Sequence, residues 1–490
     1  MDSSNPSNLK KKSPKGMIIA VVIAIIVIVA AVAVIELDHK KTPTLVILVG
    51  SGSMTQQYIT MVATDFEKQN PNVKVDVTTA GYSDLLSTEE TALKDGSSVP
   101  NIVMYYASQA PALAPYLYNI PTSTNGAPGT INSSNFIEGN MYSGGYSIAP
   151  NGTILKTIGI PIHTVIGYML VYQNKIFDNT TLQNEFQSEY HFSFQPSTYK
   201  NWTALYDAAS FINASTSFNG HSDHYALMFP DSASHSIIDA FYNVAYPFLA
   251  GNASSGVPAN SSPNYWTYFG NQSGKFNVSF NNSAAVNALT TYKSLIQFEP
   301  SVSVQPIGYS EQLSYFETGD YAIGLAWSSF FSDYSNSSIS SVAGNYSVAL
   351  LPGGYTGYSP TLLGINPNSQ NTSLAVKFLE FATSSSEYAK GISQFDFLPG
   401  NANGLKAAEG MNGFGWVNSF LNYSSTINLN SKYAAVVTQV SPLFSTLIPD
   451  FNSEVYDYFT GKTTASNALS VAAYEWVSTI KSDNIQHILS

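Results

Sequence analysis

Apolar positions change period several times along this chain, and each change predicts an element. Residues 17–35 form an unbroken apolar run preceded by Lys10, Lys11, Lys12 and Lys15. As a helix the run would rise about 28 Å, close to the hydrocarbon thickness of a bilayer. The lysines favour an inside N-terminus, which puts everything after Ile35 outside the cell. A polar stalk leads to Pro43, and residues 44–49 (TLVILV) then read as a buried strand bounded by Gly50-Ser51-Gly52-Ser53. Ile59, Val62, Ala63 and Phe66 share one helical face over 57–68, and Asn70-Pro71 ends that helix. Val73, Val75 and Val77 alternate as a second strand; 85–93 read as a second helix and 101–106 (NIVMYY) as a third strand. Strand, helix, strand, helix, strand predicts a parallel α/β sheet with right-handed crossovers. The pattern is β-like from 142 to 172. Helices are predicted at 202–212, 281–298, 311–316 and 374–383, strands at 321–327 (YAIGLAW) and from 348, and further helix to the C-terminus.

Composition narrows the setting. The 490 residues include no cysteine, which excludes disulfides, zinc–thiolate and iron–sulfur sites and cysteine nucleophiles. Charged residues are 11% of the chain, against roughly 25% in ordinary domains. Every basic residue is lysine, and beyond residue 41 there are 14 lysines against 29 acids. Such a surface excludes a nucleic-acid partner. Hydroxyls and amides change little as pH falls, so the composition fits an acidic exterior; drift towards a polar surface in a secreted glycoprotein fits it equally. Fourteen Asn-x-Ser/Thr sequons follow the apolar run: Asn132, Asn151, Asn179, Asn201, Asn213, Asn252, Asn260, Asn271, Asn277, Asn281, Asn336, Asn345, Asn371 and Asn422.

Lys15-Gly16-Met17 before the apolar run resembles the type-IV-pilin-like (class III) signal of archaea, cut after the glycine, although Val21 stands where many pilins carry glutamate. A plain anchor and a processed one both remain open. Further motifs carry a second resemblance. Residues 62–79 (VATDFEKQNPNVKVDVTT) resemble an F-x-x-x-x-P-x-V-x-V opening, and 93–103 (LKDGSSVPNIV) a G-x-x-P-D-I-V step with Asn101 in the acidic place. Residues 171–177 (VYQNKIF) resemble YYNKDLF, and 196–208 resemble P-x-T-W-D-E-L with Tyr199 in the Trp place. Residues 311–327 (EQLSYFETGDYAIGLAW) resemble F-x-x-G-K-A-A-M-x-x-x-W, and 351–366 and 375–398 resemble two later signatures. In this order, over residues 45–476, they resemble a family 1 extracellular solute-binding protein, the sugar receptor of an ATP-driven (ABC) importer.

That resemblance implies an α/β, two-lobed periplasmic-binding-protein-like (Venus-flytrap) fold, and the apolar run puts an N-terminal transmembrane helix before it. The expected order is a basic leader at 1–16, an anchor at 17–35 and a stalk at 36–43. Lobe 1 is expected at 44–165 with a later crossing segment near 348–400, and lobe 2 at 166–347 with C-terminal helices near 401–490. It further implies a neutral sugar held between the lobes, ABC permease subunits as partners, and no cofactor.

Ligands of open α/β sheets sit beyond the C-terminal ends of the strands, and sugars need hydroxyl, amide and carboxylate partners with aromatic planes. The candidates are Ser53, Tyr82, Asp84, Tyr105 and Gln109 in the first lobe, with Tyr246, Trp327 and Tyr358 in the second. Trp327 is the stacking candidate by family analogy, one of Tyr105 and Tyr106 should be buried, and helical spacing favours core packing for Tyr246. The absence of arginine removes the bidentate clamp usual for anionic ligands. His221, His224 and His235 read as a solvated turn, and Glu89, Glu90, Glu317 and Asp320 as charges on exposed helix faces. Gly50-Ser-Gly-Ser53 lacks the lysine of a phosphate loop. No catalytic constellation and no metal site is expected.

Overall fold

A computed structural model describes residues 42–148, 153–164, 167–215, 224–234, 236–249, 269–272, 275–411, 414–426 and 443–483. Strand β1 (Thr44–Gly50) is buried on both faces and runs into helix α1 (Met54–Gln69), whose N-cap Ser53 accepts the Gln56 amide. Tyr58, Ile59, Val62, Ala63 and Phe66 form the buried stripe of α1, the spacing of an amphipathic helix. Then follow β2 (Lys74–Ala80), α2 (Tyr82–Lys94) and β3 (Ile102–Tyr106), with β1 parallel to both other strands. Asn101 accepts the Val46 amide at 2.7 Å through Oδ1 and donates to Ser369 Oγ at 2.8 Å through Nδ2. A carboxylate there could accept but would have no N–H to donate.

The chain continues through β4 (Ile160–His163), β5 (Met169–Gln173), α3 (Trp202–Ala214), β6 (Tyr225–Met228), α4 (Ser236–Leu249) and α5 (Ser283–Leu295). Next come α6 (Tyr309–Thr318), β7 (Tyr321–Ala326), β8 (Tyr346–Ala349), β9 (Thr361–Ile365), α7 (Thr372–Ala382) and α8 (Ser385–Phe395). Helices α9 (Phe444–Phe459) and α10 (Ala465–Ser482) close the described chain.

Two sheets result. The first has the order β2-β1-β3-β9-β4, with β9 antiparallel to both β3 and β4. The second has the order β6-β7-β5-β8, with β6 and β7 parallel and β5 antiparallel to its two neighbours. Each sheet carries its own apolar layers. One face of the first packs α1, α7 and α8 through Tyr58, Phe66, Phe378, Tyr388 and Phe397, and its other face holds Tyr105, Leu113 and Leu117. The second sheet, α3 to α6, α9 and α10 share a larger core that includes Trp202, Phe241, Tyr292, Phe451 and Trp476. The architecture is α/β and two-lobed.

Three segments tie the lobes together. Between β4 and β5, Thr164 N donates to Leu398 O and Gly167 N to Gly357 O. Between β8 and β9 the returning chain donates Thr356 Oγ1 to Tyr168 O at 2.9 Å. After α8, Gly400 N donates to Ile162 O at 3.1 Å. The chains touch backbone to backbone: a Cβ on Gly167 would stand 3.0 Å from Gly357 Cα.

The sequence reading placed no strand at 361–365, which the structure makes a buried interior strand of the first sheet. The helical region expected at about 281–298 is α5 (Ser283–Leu295) continued by a single 3-10 turn to Phe298. Among the described residues no helix is long and apolar enough to cross a membrane. The apolar run 17–35, the leader and the stalk up to residue 41 lie outside the described residues, as do Asn151, Asn252, Asn260, His221 and His235. Gly167→Ala should destabilise the protein by about 1–3 kcal/mol, because backbone opposite the new methyl cannot swing aside as a side chain can. A urea titration of the variant beside wild type checks this.

Candidate functional site

In the first lobe, the turn after β1 is held by its own hydrogen bonds. Ser53 Oγ donates to Gly50 O at 2.7 Å and accepts the Gln56 amide, while Gln56 Oε1 accepts Gly52 N at 2.7 Å. Gly52 has φ +72, a conformation glycine adopts without strain. Ser53 is therefore a helix cap first. Asp84 is exposed in the first turn of α2, beside the helix N-terminus. The side chain of Tyr82 lies outside the described atoms.

The Tyr105–Tyr106 pair resolves by strand alternation. Tyr105 is buried in the layer with Leu113 and Leu117, and its hydroxyl donates to Gly144 O at 2.9 Å. Tyr105, the candidate chosen from sequence, is thus a core residue. Tyr106 points to the opposite face, half-buried, with its hydroxyl across the end of β1: a Cβ on Gly50 would lie 3.3 Å from it. Gln109 is buried, and its Oε1 accepts the Tyr106 amide at 2.8 Å. The turn that carries Gln109 packs against α9 of the other lobe.

In the second lobe, the end of β7 delivers Trp327. Its ring stands 4.7 Å from Tyr168 and 5.9 Å from Tyr309, tilted 45° to each. Tyr168 donates to Gln312 Oε1 at 3.4 Å, and Tyr309 donates to Asp239 Oδ2 at 2.5 Å. Asp239, Tyr242 and Tyr246 recur along α4, so Asp239 joins the Trp327 group to a second set of rings. Tyr246 lies 5.4 Å from Tyr355, whose hydroxyl donates to Asn243 O. Tyr358 stacks on Tyr423 at 6.1 Å, its hydroxyl pairs with Ser424 Oγ, and its ring is pressed against Gly139 of the first lobe. Tyr358 has no exposed surface, so it shapes the contact between lobes from within.

The structure therefore gathers Trp327 and Tyr246 with Tyr168, Tyr309, Asp239 and Tyr423, and leaves Ser53 and Asp84 at a separate rim built on the first sheet. The first lobe's own aromatic contribution beside the second is Tyr142 and Tyr146, 5.5 Å apart, next to Glu138, whose carboxyl is pushed above its usual range by burial. Sequence reasoning missed Tyr309, Asp239 and Tyr423, and of the Tyr105–Tyr106 pair it favoured the buried member. Asp239 was within reach, since it lies three residues before Tyr242 on the same helical face; Tyr423 had no signal beyond being aromatic.

One expectation is overturned outright. Glu89, read as a solvated charge on a helix face, has no exposed surface. It faces the sheet because α2 turns the side that carries Leu85, Glu89 and Leu93 inwards. Among the described residues no group of three His, Asp or Glu could hold a metal ion. His224 stands 3.8 Å from Asp320 at the surface.

The family described as bacterial extracellular solute-binding protein matches residues 61–410. Among curated protein sequences none matches this chain. The solved structures similar to it include a solute-binding protein of Agrobacterium vitis with bound D-mannitol (17% identity, 90% of this chain and 99% of that one, TM-score 0.63). A Thermotoga lettingae solute-binding protein bound with alpha-D-tagatose gives 18% identity, 88% and 98% coverage and a TM-score of 0.62. Maltose-bound MalE3 of T. maritima gives 16% identity, 89% and 99% coverage and 0.58. At these identities the likeness is one of fold. Tyr309→Phe should lower stability by about 2 kcal/mol, the worth of a hydrogen bond to a carboxylate, read as a lower urea midpoint with the slope unchanged.

Proposed function

Because the chain belongs to the bacterial extracellular solute-binding protein family, we propose that it captures a neutral carbohydrate between its two lobes outside the cell and hands it to the permease of an ATP-driven importer. The observation that carries this reading is the group around Trp327: aromatic planes from Trp327, Tyr168 and Tyr309 beside the Asp239 carboxylate and several tyrosine hydroxyls. Rings cover the C–H faces of a sugar, and hydroxyls and a carboxylate meet its O–H groups. None of these side chains is cationic and the chain has no arginine, which argues against an anionic ligand. The mannitol, tagatose and maltose held by the similar structures are uncharged polyols and sugars, in keeping with the same chemistry.

In this reading the apolar run 17–35 anchors the receptor to the membrane, processed after Gly16 or not, in the archaeal manner that its leader resembles. The two lobes lie outside and carry glycans. The exposed positions of Asn132, Asn179, Asn213, Asn281, Asn336 and Asn422 fit glycosylation. Of the first-lobe candidates, Gln109, Asp84 and Ser53 would meet the ligand from the opposite rim, with Tyr106 in place of Tyr105. The family is one of receptors rather than enzymes, and no reaction is proposed.

A thermal-shift series on the full chain with neutral mono- and oligosaccharides tests the reading. A ligand at 100 times its dissociation constant should add about 2.7 kcal/mol of stability, and Trp327→Ala should abolish that shift while leaving the unliganded protein folded. A shift with amino acids or peptides instead would overturn the carbohydrate assignment. No shift with any of them would favour a surface structural glycoprotein on the same fold.

A further inference from the structure

Among the described residues, three carboxyl groups lie in the interior with no cation beside them. Glu89 has no exposed surface, and neither of its carboxyl oxygens has a hydrogen-bond partner. The titratable groups facing it are Glu90 on its own helix and Tyr105 and Tyr106 on β3. Strand β1 contributes none, Lys74 and Asp76 of β2 are exposed, and Lys94 is engaged with Glu90 at 3.1 Å.

The other two carboxyls are neighbours in the second lobe. Asp231 lies just past β6, and its Oδ1 accepts Ile307 N at 2.5 Å; Glu299 Oε2 accepts Phe229 N at 2.6 Å. Each thus pins one backbone amide and keeps a second, buried oxygen without a partner. Tyr321 of β7 faces Glu299, and Tyr292 of α5 donates its hydroxyl to Pro230 O alongside. The lysine nearest in sequence, Lys293, is turned away: its Nζ donates to Tyr458 O at 2.6 Å and lies over that ring. Glu311 is engaged with Gly308 N and Asp239 with Tyr309. None of the ion pairs among the described residues includes Glu89, Asp231 or Glu299.

A buried carboxylate without a counter-ion is strongly disfavoured, whereas a buried neutral carboxylic acid is tolerated much as an amide is. We infer that this fold is built to stand in an acidic exterior: Glu89, Asp231 and Glu299 enter the core as neutral carboxylic acids, and the protein becomes more stable as the surrounding pH falls. The inference is independent of what the protein binds.

The direction follows from proton counting. Burial pushes the Asp231 carboxyl up to about 7 and moves Glu89 and Glu299 well above the usual range, Glu299 further because Asp231 adjoins it. Below about pH 4 both folded and unfolded chains hold these protons. As pH rises, the unfolded chain releases three protons that the folded one keeps, so the folding equilibrium loses about tenfold per pH unit for each group. For Asp231 the loss stops near pH 7, where the folded state ionises too.

One buried group works against the trend. His163 is enclosed between Phe397, 4.6 Å from its ring, and Thr55, and burial lowers its imidazole to about 3. Below about pH 6.5 the unfolded chain therefore gains a proton there that the folded chain refuses. Three buried carboxyls against one imidazole leave stability falling as pH rises above the ordinary carboxylate range.

The test is a series of urea titrations on the full chain in a mild detergent from pH 3.5 to 7.5. The expected result is a midpoint that falls steadily from about pH 4.5 to 6.5. Glu89→Gln, Glu299→Gln and Asp231→Asn should each flatten the profile by about one tenfold step per pH unit, since the amide replaces the neutral acid without its titration. Infrared spectroscopy gives a reading that needs no variant: the carbonyl stretch of protonated carboxyls should persist at pH 6 in the native chain and vanish on unfolding. A flat or rising midpoint, or absence of that band, would overturn the inference. So would calcium restoring the midpoint at pH 7, because the Asp231–Glu299 pair would then be a cation site of ionised carboxylates.

Discussion

Everything in this fold hangs on one constraint: the chain must pass between two sheets three times through the same narrow seam. A sheet strand needs partners on both sides, and β9 finds its own on β3 and β4 only after the chain has completed the second sheet. The seam can be that narrow because its crossings meet through glycine. A Cβ on Gly167 would press on Gly357, and one on Gly400 would run into the Pro161 carbonyl. Polar backbone at the seam is satisfied across the crossings, from Gly167 to Gly357, Thr164 to Leu398 and Gly400 to Ile162. The aromatic groups on either side of the seam are positioned by it, since Tyr168, Thr356 and Tyr358 all belong to the crossing segments or abut them.

The chain meets this constraint without disulfides and with little charge, using rings instead. Buried tyrosines supply area, and each hydroxyl then demands a partner. The partner is repeatedly a backbone carbonyl distant in sequence: Tyr58 reaches Ala382, Tyr334 reaches Gln312, Tyr355 reaches Asn243 and Tyr423 reaches Thr356. Such bonds fix which segments meet, a task that ion pairs perform in more highly charged proteins. They also do not titrate in acid. The same scarcity of cations leaves carboxyls buried without lysine beside them, and it is in keeping with the uncharged ligand proposed for the rings and hydroxyls around Trp327.

Much of the first lobe was legible in the sequence. The run TLVILV, the alternation of Val73, Val75 and Val77, and the helical stripe from Ile59 to Phe66 each carry a period that only one element satisfies, and β1, β2 and α1 lie where those periods put them. Strand β9 was not legible: TLLGI is a short run, apolar after Thr361, which suits strand or buried helix equally until a partner decides. Glu89 and the tyrosine pair failed for a related reason. A carboxylate on a helix reads as solvated unless the neighbouring face is known, and alternation says that Tyr105 and Tyr106 face opposite ways without saying which way is in.

The sequence by itself determined the classes of element, the lack of disulfide and thiolate chemistry, the sparsely charged, hydroxyl-rich surface, and the family through the order of its motifs. These properties are local or additive, so a residue and its near neighbours suffice to carry them. Only the tertiary structure decided that β9 enters the first sheet, that Tyr105 is buried while Tyr106 faces the end of β1, and that Asp239 and Tyr309 stand beside Trp327. It alone decided that Asp231 and Glu299 meet. Each of these depends on contacts between segments tens to hundreds of residues apart, and burial, which sets both the packing and the protonation of such groups, exists only once those segments have come together.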